Sequence, residues 1–363
     1  MSEQTADHPV AAGRSVGAGP LSGPTEDRTA STAEHVITLG LALWTLIGLL
    51  VDAYYHSTDP GLESFWTPWH ALFYSGFAAT AGWLGWMALR RNPGTGNWLD
   101  WAPVGYSAAL IGVVLFAIGG FGDAVWHSVF GVETSIDALL SPTHLLLFVG
   151  LLMILTAPLK AAWLSDGTTS PGFAEFGIPL SSLVFSTTLV GFMLTYVWAP
   201  SMTWSMRRPF FPGEDSSETN AALLVAAIII STLVMFLPLL IVRLRWRPPF
   251  GAATAFLTFL HLALALGFDD DTLGIPAAVA AGLTFDVLVA RGAPRTVTTA
   301  VPPLVMWSGM FLLVSNTDQG LGLAPEIWGG AILMASLALL TVELTVSLAE
   351  RTAVANPPRN PGP

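Results

Sequence analysis

Apolar and polar positions alternate along this chain in long blocks. Apolar runs fall near 35–57, 66–89, 104–129, 139–162, 176–200, 219–242, 250–268, 272–290, 297–316 and 326–349. A helix needs roughly 20 mostly apolar residues to cross a bilayer. The pattern therefore predicts an all-α, polytopic membrane protein with ten transmembrane helices. Turn sequences separate the runs: Asn92-Pro93-Gly94, Asp166-Gly167, Pro212-Gly213, Arg247-Pro248-Pro249 and Arg291-Gly292. The eighth run is the weakest, with Asp286 near one end. Residues 1–34 are polar and hold no apolar run of the signal-peptide kind, so they read as a disordered cytoplasmic tail. Residues 351–363 read as a second tail.

The basic residues give the runs a direction. Arg14 and Arg28 precede the first, Arg90 and Arg91 follow the second, and Lys160 ends the fourth. Arg243, Arg245 and Arg247 follow the sixth, Arg291 and Arg295 the eighth, Arg351 and Arg359 the tenth. The intervening loops have none except Arg207 and Arg208. Cytoplasmic loops are rich in Lys and Arg. Twelve of the fourteen basic residues thus fit a topology with both termini inside, and eight or nine spans would break the alternation. The expected location is the plasma membrane, with the lipid bilayer as partner.

Composition narrows the function classes. Only 11% of the 363 residues are charged and 53% are hydrophobic; soluble domains average about 25% charged. The chain has no cysteine, which excludes disulfides, iron–sulfur clusters, thiolate zinc sites and cysteine nucleophiles. The net charge is −11 and Lys160 is the single lysine, so the basic stripe that nucleic-acid binding needs is missing.

The chemistry concentrates in an internal repeat. Residues 48–57 read GLLVDAYYHS and residues 119–128 read GGFGDAVWHS; both contain Asp-Ala-x-x-His-Ser. Residues 67–76 read TPWHALFYSG and residues 141–150 read SPTHLLLFVG; both follow hydroxyl-Pro-x-His. Each copy is a two-helix unit, 35–90 and 104–163, and the two run in the same direction. That implies a pseudo-twofold axis along the membrane normal. Residues 175–350 then form a six-helix membrane scaffold or lateral chamber.

Helical spacing puts Asp52 and His56 on one face, and Asp123 and His127 likewise. Thr67 and Ser141 suit N-caps, with Pro68 and Pro142 at the first helical position. His70 and His144 then fall in a first turn, where the helix dipole favours a neutral imidazole able to bind metal. The candidate metal ligands are Asp52, His56, His70, Asp123, His127 and His144. Glu63 and Asp137 are candidate ligands or catalytic proton acceptors, and Glu133 would stand behind the ligands. Topology places all of them at the extracytoplasmic end. Nitrogen and oxygen ligands without thiolate suit copper(II) or iron, with zinc or manganese also compatible. The ligand count is enough for a mononuclear or dinuclear site. Proton or water handling without metal, and structural capping, are the other readings of the same residues.

His261 lies mid-run in the seventh segment and reads as a buried structural histidine or a supporting proton-relay residue. Asp269, Asp270 and Asp271 read as a solvated loop or a cation lure. Asp286 and Glu343 lie near cytoplasmic ends and read as snorkelling groups or a proton entry.

Asp-x3-His followed by a distant His resembles the copper-binding pattern in the C subunit of particulate methane and ammonia monooxygenases, Asp-x3-His-x12-His. Here the second spacing is thirteen residues in Asp52, His56, His70 and sixteen in Asp123, His127, His144. The resemblance covers these stretches only and implies copper at these residues. The phrases ESFWTPWHALFYSG and GDAVWHSVFGVETSIDALLSPTHLLL are similar to a group of multi-spanning prokaryotic membrane proteins, a resemblance that implies the fold and no activity. The expected function is a metal-binding membrane protein, an oxidoreductase on a small or lipid-soluble substrate. A metal-ion or proton-coupled transporter and a non-catalytic assembly subunit are the alternatives.

Overall fold

The computed structural model describes residues 28–58, 67–92, 94, 96–131, 136–268 and 272–355. Most of both expected tails, together with Glu63, Glu133 and Asp269–Asp271, lies outside the described residues. The described chain is helical and holds no strand. Its longer helices are α1 (Thr32–Thr58), α2 (Pro68–Arg90), α3 (Ser107–Phe130), α5 (Pro142–Leu155), α7 (Phe173–Met193), α9 (Asp215–Arg245), α10 (Ala252–Phe268), α11 (Gly274–Ala290), α12 (Arg295–Ser315) and α13 (Pro325–Ala355). Three short helices intervene: α4 (Ile136–Leu140), α6 (Ala157–Leu164) and α8 (Thr203–Arg207). Seven segments are long and apolar enough to cross a membrane: Thr32–His56, Ser107–Phe130, Pro142–Leu164, Phe173–Met193, Asp215–Arg245, Arg295–Ser315 and Pro325–Thr352. The chain is accordingly a membrane protein.

Two expected segments are broken where the backbone chemistry requires it. The run 139–162 is divided into α4, α5 and α6: Ser141 caps α5, and Pro158 opens α6 just after Thr156. A proline has no N–H to continue the ladder, so the helix restarts there. The run expected to stay helical to residue 200 stops at Met193. Two 3-10 turns follow, Thr195–Val197 and Ala199–Ser201, the second holding Pro200.

The first four long helices form two antiparallel pairs, α1 with α2 and α3 with α5. Glycines let each pair close. A Cβ at Gly48 would lie 2.6 Å from the Phe73 Cα, and one at Gly76 would lie 2.8 Å from the Thr45 nitrogen. A Cβ at Gly119 would lie 3.0 Å from the Leu147 nitrogen, and one at Gly150 would lie 2.7 Å from the Phe116 nitrogen. Small residues at such crossings let backbones approach where apolar burial gives no drive between helices.

The remaining helices enclose the largest core, and α7 packs against α1, α5, α9 and α10, joining the two halves. Asp286 has a structural task here. Its carboxylate accepts the backbone N–H groups of Ala253 at 3.1 Å and Thr254 at 3.0 Å, and the Thr254 hydroxyl at 2.6 Å. It thereby satisfies the first turn of α10 from α11. Glu343 pairs with Arg295 at 2.8 Å.

Gly150→Leu is expected to lower stability by about 1–3 kcal/mol, because the added side chain must force α3 and α5 apart. Gly85→Leu serves as the control, since nothing lies within 4 Å of that position. Denaturation midpoints in detergent should fall for the first and stay for the second.

Candidate metal centre

Local sequence sets the histidines in place. The Thr67 hydroxyl accepts the His70 backbone N–H at 3.1 Å, and the Ser141 hydroxyl accepts that of His144 at 3.3 Å. Pro68 and Pro142 open α2 and α5 as the caps require. His70 and His144 therefore stand in first turns, facing the last turns of α1 and α3. There Asp52 lies 3.7 Å from His56, and Asp123 lies 3.3 Å from His127, each one turn apart.

All six predicted ligands, Asp52, His56, His70, Asp123, His127 and His144, line one cavity of about 330 Å³. Asp52, His56 and His70 bring one donor atom each to within 4.8 Å of one another, and so do His70, Asp123 and His127. His70 belongs to both groups. His144 joins through its Nε2, 2.9 Å from Asp123 Oδ1. The rings form a chain: His56 to His70 at 5.2 Å, His70 to His127 at 6.3 Å and His127 to His144 at 5.6 Å between centroids. These buried His and Asp groups could hold a metal ion.

The hydrogen bonds fix which nitrogen faces the cavity. His127 Nδ1 is 3.2 Å from the Gly131 carbonyl oxygen, and His144 Nδ1 contacts the Ala138 carbonyl oxygen. A carbonyl oxygen only accepts, so both Nδ1 atoms carry the proton and donate it. Gly131 ends α3 at φ 83°, a conformation that favours glycine, and its carbonyl takes the His127 proton. In the neutral ring each Nε2 is then a bare lone pair, and both Nε2 atoms point at Asp123 Oδ1. Acceptors cannot face one another without a proton or a cation between them. Tying Nδ1–H to a backbone carbonyl is also how metal-bound histidines are oriented.

The two carboxylates differ. Asp123 is 1% exposed and is well served: Tyr74 donates its hydroxyl to Oδ2 at 3.0 Å and Thr143 donates to Oδ1 at 3.4 Å. Asp52 Oδ1 is buried and accepts no hydrogen bond from the described residues; His70 Nδ1 lies 3.3 Å away. A buried carboxylate oxygen without a donor is costly unless a positive charge reaches it. No Lys or Arg lines the cavity among the described residues, and the chain has none at all between Arg28 and Arg90 or between Arg91 and Lys160.

The cavity is otherwise apolar. Phe73, Phe116 and Leu147 form part of its wall, and α7 adds Leu189, Phe192 and Met193. Nothing in the sequence pattern marked α7 as a wall of the site. Tyr74 and Thr143 were also missed. Tyr74 sits one turn after His70, where the second copy has Phe148, so the break in the repeat was its signal.

Other predicted residues fall elsewhere. Asp137 is exposed on α4 and takes its own neighbour's N–H from Ala138, while Ile136, Ala138 and Leu139 line the cavity. The structure thus does not bring Asp137 into the cluster. His261 is buried against Trp198, with Nδ1 2.8 Å from the Leu257 carbonyl oxygen, apart from the cavity.

Comparison with family models, curated proteins and solved structures finds no match for this chain.

Tyr74→Phe removes one donor to Asp123 and leaves all six candidate ligands in place. Losing such a supporting contact is expected to weaken divalent-ion binding by about 10–100-fold, read by titration against a chelator. Ser75→Ala, which affects only a hydroxyl bonded to its own helix at Leu72, should leave the affinity unchanged.

Proposed function

We propose that this is a ten-span membrane protein that binds one divalent transition-metal ion between its two N-terminal hairpins. The observation that carries this reading is the convergence of Asp52, His56, His70, Asp123, His127 and His144 on one cavity. Charge supports a single divalent ion. The two buried carboxylates bring two negative charges, and four neutral imidazoles bring none. His70 is shared by both ligand groups, which also favours one ion over two. The donor set suits copper or iron first, and zinc or manganese next. The resemblance to the monooxygenase copper pattern points the same way.

Topology supports an extracytoplasmic site. A described helix occupies each of the ten expected runs; α2, α10 and α11 add to the seven longer apolar segments. Matching contacts, Gly48 to Phe73 and Gly119 to Leu147, support reading the hairpins as duplicates. The chain reads as N-in and C-in in the plasma membrane, with the outer ends of α1 and α3 carrying the site.

The apolar walls favour an oxidoreductase acting on a small or lipid-soluble substrate. The transport alternative is disfavoured by what lies below the metal ligands. Leu46, Phe73, Phe116, Leu147, Leu151 and Leu155 form an apolar floor there, with Tyr74 packed against it. An ion moving inward would lose its ligands at that floor, at high cost.

Protein purified in mild detergent is expected to contain close to one transition-metal ion per chain by elemental analysis. His56→Ala/His127→Ala should lose it. A wild type that stays empty after exposure to copper, iron, zinc and manganese would refute the metal reading. Because the chain is free of cysteine, single cysteines test the topology cleanly. In intact cells, an impermeant maleimide should label Asp318→Cys and spare Thr168→Cys; the reverse pattern would invert the orientation.

A further inference from the structure

A second space of about 760 Å³ lies between α2 and α3. Its sides are Ala71 on α2 and Ala117, Phe121 and Ala124 on α3, and among the described residues no Asp, Glu, Lys or Arg lines it. Phe121 is 77% exposed, and Ala71 and Ala117 are exposed as well, so the groove opens on the outer face of the helices. In a spanning arrangement that face meets lipid. The floor holds Tyr74, His70 and Phe116, and the last two also line the metal cavity. His70, itself a candidate ligand, thus faces both spaces. Gly120 keeps the floor open, since a Cβ there would lie 2.7 Å from the Tyr74 ring.

We propose that this groove binds an uncharged, single hydrocarbon chain dissolved in the bilayer and presents its end to the metal cavity through the His70–Phe116 wall. The proposal rests on the metal reading above and names its substrate class. Three observations select the occupant. The groove follows α2 from Pro68 to Phe77, which at 1.5 Å per residue is about 14 Å, close to half of a hydrocarbon core of about 30 Å. It therefore matches one leaflet. Its lining is apolar apart from Thr67, His70 and Tyr74, which suits an alkyl chain along its length. A phospholipid is disfavoured because no Lys or Arg between Arg28 and Arg90 or between Arg91 and Lys160 is present to meet a phosphate.

The test uses the full chain in phosphatidylcholine vesicles with a long-chain primary alcohol carrying a terminal diazirine. After photolysis, adducts are mapped by mass spectrometry. Adducts are expected on Ala71 and Phe121 in the groove and on Leu147 and Leu151 in the cavity. Ala117→Phe should reduce both sets by about tenfold, the scale of overfilling a confined space with one side chain. Ile118→Phe, at an exposed position outside the groove, should change neither. Uniform labelling over exposed α3 positions such as Val114 and Val125 would overturn the proposal. So would cavity adducts that survive Ala117→Phe, equal groove labelling by a photoreactive phosphatidylcholine, or dimers cross-linked across α3 with the groove unlabelled. Metal content is read on the same samples. Intact metal with an unlabelled groove rejects this proposal alone, whereas the expected adducts on a metal-free protein reject the metal reading alone.

Discussion

One end of the N-terminal half is organised around a buried carboxylate. Asp123 is 1% exposed, and the groups that approach it come from three helices: His127 on α3 itself, Tyr74 on α2, and Thr143 and His144 on α5. A buried charge is tolerated only when it is saturated with donors or paired with positive charge. Every helix that reaches Asp123 is thereby held in register. The two hairpins meet here: Tyr74 and His70 belong to the first, and Asp123, His127, Thr143 and His144 to the second. Asp52 Oδ1 accepts no hydrogen bond from the described residues, and this asymmetry marks where a proton or a cation would be taken up in the same cavity.

Much of this was legible in the residues because it is local. The Thr67-Pro68 and Ser141-Pro142 pairs state where α2 and α5 begin, and the four-residue spacings of Asp52 with His56 and of Asp123 with His127 state a shared face. Apolar run length located the helices. Long-range facts were not legible. The turn of α4 that exposes Asp137 while offering the Ala138 carbonyl to His144 depends on how α4 packs. The wall supplied by Leu189, Phe192 and Met193 depends on where α7 lies between the halves. Asp286, which read as a snorkelling group or a proton entry, satisfies the N-terminus of α10 on a neighbouring helix.

The apolar surroundings give the cluster its chemical character. Carboxylates and imidazoles in a dry wall interact with a cation more strongly than the same groups in water. The floor beneath them is leucine and phenylalanine, which offer a bound ion no further ligand. Under the proposed reading, such a floor, an apolar wall and histidines held through Nδ1 suit a centre that acts on apolar molecules.

The central claim is that both hairpins contribute ligands to one ion. The most direct measurement is a titration of metal-free protein with copper(II), followed by electron paramagnetic resonance. The account predicts saturation at one ion per chain, with nitrogen couplings that change in both His70→Ala and His127→Ala. Two independent ions per chain, each sensitive to only one of those variants, would contradict it.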